Sequence, residues 1–178
     1  MKKVILAFIM FFVMTSASFA DSNVYITQSG AALDLDITID GNANAVGTSS
    51  DRTLLTGANL DVDIDLIGAT NTITGDFIGT GEAGTDDLKI NQTGSTNTTA
   101  LNVGASASVD DVKIIENRTG SSGVTSYTIG SAVTVQDVSV TVDVIGDDID
   151  IALTENSSSS GSDKTTDIDI GTDSDDVD

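Results

Sequence analysis

The stretch LKINQTGSTNTTALNVG (residues 88–104) combines two extended runs with a polar turn between them. Leu88 and Ile90 alternate with polar residues, which is the period-2 pattern of a strand that buries one face. The same alternation places the amide of Gln92 on that buried face, two residues before a glycine. Gln28 stands in the same position in VYITQSG, near the start of the repeats. The stretch therefore indicates a strand–turn–strand unit with an inward-facing amide.

Units of this kind recur along the chain. An aspartate opens an alternating apolar run six times, at intervals of 24 to 30 residues. These aspartates are Asp34, Asp61, Asp87, Asp111, Asp137 and Asp167. In the first three units the run leads into a Gly-x-x-Asn turn, and the three pairs are Gly41/Asn44, Gly68/Asn71 and Gly94/Asn97. One such unit cannot bury a face by itself, but stacked copies can.

The repeat predicts an all-β fold, a β-solenoid of strand–turn–strand units about 26 residues long with rungs about 4.8 Å apart. No segment outside the first 20 residues has the 3.6-residue periodicity of a helix, and β-branched residues dominate. An antiparallel sandwich of short strands is the alternative, since similar spacing permits it. The constant frame of the Gly-x-x-Asn turns favours the solenoid.

The chain divides into three parts by composition. In residues 1–20, two lysines precede an apolar run, and Ser18 and Ala20 hold the small positions of a cleavage site, so a signal peptide is predicted. Residues 21–156 carry the repeats. Residues 157–178 are an acidic tail rich in Ser and Asp, and disorder is predicted for its segments SSSSGSDKTT and GTDSDDVD. The expected location is extracellular or at the cell surface, with no membrane insertion after signal cleavage.

Charge and composition exclude several functions. The net charge is −21, and removal of Lys2 and Lys3 with the signal peptide takes it to −23. No basic patch is available for a phosphate backbone, so nucleic acid is not an expected partner. The chain has no His and no Cys, which rules out Ser–His and Cys–His nucleophile pairs. We therefore expect no enzyme activity, no catalytic residues and no cofactor.

Calcium is the possible exception. Stacking the six opening aspartates would place carboxylates about 4.8 Å apart, where they repel by roughly 0.9 kcal/mol per neighbour even in water. The column two residues further on is predicted to read Asp36, Asp63, Lys89, Lys113, Ser139 and Asp169. Ca²⁺, salt or the lysines could offset the repulsion. The chain contains no Gly-Gly pair and so lacks the calcium β-roll motif, which favours a solvated acidic face and predicts no specific metal ligands.

The two inward glutamines leave two interpretations open. The column of Gln92 is predicted to read Ile39, Leu66, Gln92, Glu116 and Val142, so one chain cannot form a complete glutamine ladder. Gln28, near the start of the stack, would then need a partner from a neighbouring molecule or from a local turn. Alternatively, each caps its own turn through the backbone.

INQTGSTNTTA resembles the curlin repeat, the amyloid unit of bacterial curli fibres, whose pattern is Gln-x-Gly-x-x-Asn-x-Ala-x-x-x-Gln. Gln92, Gly94 and Asn97 match in place, an alanine follows one residue late, and the final Gln is missing. Gln28 and Gly30 match the opening of the pattern only. The other two Gly-x-x-Asn units keep the turn half and lose the Gln.

This resemblance implies an exported structural subunit of extracellular functional amyloid fibres, a fimbrium used in adhesion or in a biofilm matrix. It also implies self-association and, as partners, curli-type secretion and nucleation proteins. Nine residues are implied in assembly or in turns, namely Gln28, Gly30, Gly41, Asn44, Gly68, Asn71, Gln92, Gly94 and Asn97. The alternative function is a monomeric acidic calcium-binding β-roll or adhesin passenger.

Overall fold

The computed structural model describes residues 21–48, 50, 52–79, 86–104, 109–133, 135–157, 164–170 and 176–177. Within these ranges the chain is all-β, and it contains no helix that could cross a membrane. The strands are β1 (Asp21–Val24), β2 (Thr27–Ser29), β3 (Asp34–Asp40), β4 (Ala43–Val46), β5 (Thr53–Gly57), β6 (Asp61–Ile67), β7 (Thr70–Gly79), β8 (Asp86–Thr93), β9 (Thr96–Val103), β10 (Val112–Thr119), β11 (Ser122–Val133), β12 (Val138–Ile145), β13 (Asp148–Ser157), β14 (Lys164–Ile170) and β15 (Asp176–Val177).

The strands form two parallel sheets. The six-stranded sheet has the order β3-β6-β8-β10-β12-β14. The nine-stranded sheet has the order β1-β4-β7-β9-β11-β13-β15, with β2 and β5 alongside. Each rung runs along the six-stranded sheet, turns at a glycine and continues along the nine-stranded sheet. The predicted β-solenoid with a repeat of about 26 residues is therefore confirmed.

The core lies between the two sheets. Ile64 and Ile90 point inward from the six-stranded sheet, while Ile73 and Phe77 do so from the nine-stranded sheet, and all four are buried in one apolar cluster. Strands that alternate between inward apolar and outward polar residues, such as β6 and β8, place their aliphatic side chains here. Burial of this shared face is what makes stacked units stable where one unit alone would not be.

The register differs from the predicted one beyond the third rung. The column that begins with the first three opening aspartates reads Asp34, Asp61, Asp87, Lys113, Ser139 and Thr165. Asp111 and Asp137 precede β10 and β12 and have left-handed backbones, with φ of 52° and 44°. The prediction of a complete aspartate column was therefore wrong. A two-residue shift leaves every residue on the same face of the sheet, so the alternation alone could not detect it.

The other two predicted columns change for the same reason. The second outward column reads Asp36, Asp63, Lys89, Ile115, Thr141 and Asp167, without Lys113, Ser139 or Asp169. The column of Gln92 reads Ile39, Leu66, Gln92, Arg118, Val144 and Ile170. Glu116 lies instead between Ile90 and Val142.

The solenoid also extends past the predicted boundary at residue 156. β14 pairs with β12 along its whole length, and β15 pairs with the first two residues of β13. The disorder predicted for SSSSGSDKTT is wrong at its first residue, which ends β13, and at its last three residues, which begin β14. In GTDSDDVD, Asp176 and Val177 form β15, while the rest lies outside the described residues, as does the predicted signal peptide over 1–20.

Candidate functional site

Glycines at one turn set how closely successive rungs approach. Gly41, Gly68 and Gly94, all predicted from the sequence, fall in one column, which continues through Gly120 and Gly146. A Cβ at any of the last four would overlap the carbonyl oxygen of the preceding glycine in the column. Their φ angles are not left-handed, so the constraint is close approach between rungs and not backbone conformation. The column of turn glycines therefore fixes the register in which successive rungs stack.

The three turn asparagines form a buried amide ladder beside this column. Nδ2 of Asn44 donates to Oδ1 of Asn71 at 3.0 Å, and Nδ2 of Asn71 donates to Oδ1 of Asn97 at 2.8 Å. Each Nδ2 also donates to the backbone carbonyl before the next turn glycine; for Asn97 this is Thr119, at 3.1 Å. All three side chains are almost fully buried. The ladder thus links three rungs and gives each of these carbonyls a second donor beside the N–H of a turn glycine.

The ladder has defined ends. Beyond Asn97 the next register position is Gly123, where an added Cβ would lie 2.8 Å from Cζ of Arg118. The guanidinium therefore occupies the space that a fourth asparagine would need. At the other end, Oδ1 of Asn44 is buried and has no hydrogen-bond partner among the described residues. The neighbouring rung there carries Ser22 at the matching position.

The two glutamines lie in different sheets. Gln92 is fully buried in the six-stranded sheet, where Nε2 donates to the carbonyl of Thr98 at 3.3 Å, across its own turn. Gln28 is exposed on β2 in the nine-stranded sheet, paired with Leu55, so the prediction that it faces the core is wrong. The structure does not bring the two together. The contact of Gln92 agrees with the interpretation in which the side chain caps its own turn.

Gly30 lies apart from the turn column, after β2. Its φ is 144°, a value that side-chain-bearing residues rarely adopt, and its N–H donates to the carbonyl of Thr56 at 3.0 Å. Gly30 thus lies in the connection from β2 to β3 and not in the glycine–asparagine turns.

A buried polar cluster in the fourth rung was missed by the sequence analysis. Glu116 and Arg118 face inward from β10 and are 0 % and 2 % exposed. The carboxylate of Glu116 accepts hydrogen bonds from Thr99 at 2.8 Å, Thr125 at 3.0 Å and Tyr127 at 2.8 Å. Nη1 of Arg118 donates to Oγ1 of Thr125 at 2.7 Å. The signal was present in VKIIENRT, where Glu116 and Arg118 continue the inward parity of the strand.

Burial controls the ionisation of this cluster. Loss of solvent raises the pKa of the Glu116 carboxyl, while hydrogen bonds from Tyr127 and Thr99 and the charge of Arg118 oppose that rise. Burial likewise lowers the pKa of Arg118, against the attraction of Glu116. The pKa of Tyr127 is raised by burial and by the neighbouring carboxylate. Glu116 and Arg118 therefore depend on each other to remain charged inside the core.

The outer face of the six-stranded sheet is mainly polar, and most of its acidic residues lie on β3 and β6. Asp34, Asp61 and Asp87 stack in register and are followed in the column by Lys113. Beside them, Asn117 donates to Oδ1 of Asn91 at 2.8 Å, in a second, outward amide contact. The described residues contain no group of three or more His, Cys, Asp or Glu side chains arranged to hold a metal ion.

Salt should stabilise the fold through the stacked aspartates. Two neighbouring carboxylate pairs repel by roughly 0.9 kcal/mol each in water, and NaCl at 0.5 M screens most of this. We expect the melting temperature to rise by about 5 °C between 10 mM and 500 mM NaCl. Differential scanning fluorimetry of wild type and Asp61→Asn measures the effect, and the variant should show a smaller rise. CaCl₂ at equal ionic strength should act as NaCl does, whereas a much larger calcium effect would contradict simple screening.

Both ends of the solenoid leave strand edges unpaired within the described residues. At one end β3 is the last strand of the six-stranded sheet, and its inward residues Leu35 and Ile39 are only partly buried. At the other end β14 is the last strand, and Ile168 is 43 % exposed although its column neighbour Val142 is 1 % exposed. Each end therefore presents backbone donors and acceptors together with apolar side chains.

Compared with known proteins, the chain matches no protein-family profile, no curated protein and no solved structure.

Proposed function

We propose that the protein is an exported structural subunit of curli-like extracellular amyloid fibres, used in adhesion or in a biofilm matrix, and not an enzyme. The observation that carries the proposal is the pair of strand edges, on β3 and β14, that no described strand pairs with and that carry partly exposed apolar residues at both ends of the solenoid. Parallel edges of this kind are templates for further strands. A chain built of stacked rungs can add more rungs of the same geometry from a second copy.

Two further features support this proposal. The unit containing Gln92, Gly94 and Asn97 resembles the curlin repeat, and its turn is built from a glycine column and an amide ladder that act between rungs. Amide ladders also link stacked strands in cross-β fibres, and here the ladder spans three rungs. Secretion and nucleation proteins of the curli type are the partners that this function would require. The monomeric calcium-binding β-roll has no comparable observation in its favour.

The fibre function can be tested on the purified chain from Asp21 onward, which contains every described strand. We expect fibres that bind amyloid dyes and diffract at the spacings of about 4.8 Å and 10 Å. Addition of EDTA should not prevent their formation. A chain that stays monomeric under all salt conditions, or that requires calcium to fold, would contradict the proposal and favour the β-roll.

A proline at Thr38 should block fibre growth with little effect on the monomer. On either side of β3, Leu33 accepts a hydrogen bond from Asp61 and Gly41 donates one to Ile67, so the odd-numbered residues of β3 bond to β6. The N–H of Thr38 therefore points to the free edge, where proline is tolerated but cannot donate. We expect the elongation rate of Thr38→Pro, followed by dye fluorescence, to fall at least tenfold.

The matched control is Thr38→Val, which keeps the backbone N–H and should elongate as wild type does. Thermal melts of the monomers should agree within a few degrees. Equal elongation of the proline and valine variants would show that the edge of β3 is not used in assembly.

A further inference from the structure

The two ends of the solenoid are staggered in opposite ways. At one end the nine-stranded sheet reaches β1 and β2, one layer beyond β3, the last described strand of the six-stranded sheet. At the other end the six-stranded sheet reaches β14, one layer beyond β13 of the nine-stranded sheet. In that last layer the nine-stranded sheet has only the two residues of β15, which pair with the start of β13. Among the described residues, each end thus has a partial rung. Apart from β15, the sheet that extends further at one end is the sheet that stops short at the other.

The side-chain columns would continue across a joint between these ends. Ile168 occupies the same inward column as Ile37, through Ile64, Ile90, Glu116 and Val142. Placed in register, the exposed Ile168 of one copy would lie on Ile37 of the next, which is already buried, and the joint would remove Ile168 from water. A shift of one residue would instead turn Ile168 outward, so the apolar pattern selects among registers.

The backbone edges are also matched. β3 and β14 each contain seven residues. The even-numbered residues of β3 direct their N–H and C=O groups to the free edge, as a parallel ladder requires. In the nine-stranded sheet, Asp21 of β1 belongs to the same column as Asp148 of β13. A second copy of the chain can therefore extend both sheets at once.

We propose that copies of the chain join head to tail in a staggered joint, with β14 of one copy paired in parallel with β3 of the next and Thr165 opposite Asp34. This inference rests on the proposed fibre function and specifies its interface. β1 and β2 of the next copy complete the nine-stranded sheet along β13. Because β15 pairs with Asp148 and Ile149, the positions that β1 would take, β15 leaves this edge when the copies join.

Cysteine cross-linking tests the register, since the natural chain has no Cys. Asp34 and Thr165 are both exposed, so Asp34→Cys and Thr165→Cys are made as separate variants of the chain from Asp21 onward. Mixed under mild oxidation in 0.5 M NaCl, they should yield disulfide-linked heterodimers at least tenfold more abundant than either homodimer. Directly opposed residues on neighbouring strands lie within the Cα separation that a disulfide spans.

The matched control is Asp36→Cys mixed with Thr165→Cys. Its Cα atoms would lie about 8 Å apart across the joint, given a strand spacing of about 4.8 Å and a rise of about 3.3 Å per residue, which is beyond disulfide reach. Fibres that form without the Asp34–Thr165 cross-link, or with the control cross-link instead, would overturn this joint and leave the fibre function standing. Dominant Asp34–Asp34 homodimers would overturn it through head-to-head docking.

The remaining outcomes separate the joint from the fibre function. Heterodimers in a preparation that forms no fibres would support the joint and overturn the fibre function. Absence of both cross-links and fibres would overturn the two together.

Discussion

Replacing Arg118 with methionine is expected to lower the free energy of unfolding at neutral pH by about 3 kcal/mol, because it removes the hydrogen bond to Thr125 and the buried positive charge that opposes the rise in the pKa of Glu116. Glu116 is 0 % exposed and would keep only the hydrogen bonds from Thr99, Thr125 and Tyr127. Methionine retains much of the apolar volume of arginine. The loss therefore comes mainly from the unpaired charge and not from a cavity.

The loss should depend on pH in a defined direction. Burial raises the pKa of Glu116 in the folded state above the ordinary value of 4.5, so its contribution to stability is fully present below that value and is lost as pH rises through the folded pKa. Removing Arg118 takes away a charge that opposes this rise in pKa. Chemical denaturation should therefore show a larger difference between wild type and Arg118→Met at pH 8 than at pH 5.

Two variants serve as controls for this prediction. The double variant Glu116→Gln/Arg118→Met removes both buried charges and should recover most of the lost stability. Arg52→Met removes a partly exposed arginine that lies 3.1 Å from Asp76, and should cost no more than about 1 kcal/mol. If Arg118→Met lowers the free energy of unfolding no more than Arg52→Met does, Arg118 does not stabilise the buried carboxylate of Glu116.

Gly94→Ala is expected to destabilise the solenoid by about 3 kcal/mol. The new Cβ would overlap the carbonyl oxygen of Gly68, which is backbone and cannot rotate away. The two rungs would have to separate at the turn, and this would stretch the hydrogen bond between Asn71 and Asn97 that now measures 2.8 Å. Denaturant unfolding at neutral pH measures the change.

Ser95→Ala is the matched control within the same turn. Ser95 is exposed, and alanine already stands at the equivalent place, residue 69, in the preceding rung. Its effect should lie within about 0.5 kcal/mol. A Gly94→Ala protein as stable as Ser95→Ala would mean that the rungs are further apart at this turn than the structure shows.

The part of the fold that the sequence predicts is the part encoded within one unit. Alternation in residues 88–93 identifies a strand with one buried face, and the Gly-x-x-Asn pair at Gly94 and Asn97 identifies the turn. Both signals are local and use the side-chain period of a strand and the small size of glycine. Repetition of the unit was enough to predict stacked parallel rungs.

The candidate site was predictable to a smaller extent. The repeat predicts that the three turn asparagines lie in one column. The hydrogen bonds that make them a ladder could not be predicted, because they exist only where neighbouring rungs are in contact. Gln28 and Gln92 look equivalent in sequence, but one lies in each sheet. Glu116 and Arg118 could be placed inward by parity, yet their partners Thr125 and Tyr127 come from the facing sheet.

The amino-acid sequence by itself determined that this chain forms β-strands with one buried face, joined by glycine–asparagine turns and repeated about every 26 residues. Only the tertiary structure decided the register beyond the third rung, where Lys113 and not Asp111 continues the aspartate column. A strand pattern with period two is unchanged by a shift of two residues, so the alternation cannot choose between these registers. The close contact between successive turn glycines does choose the register, and this contact exists only once the rungs are stacked.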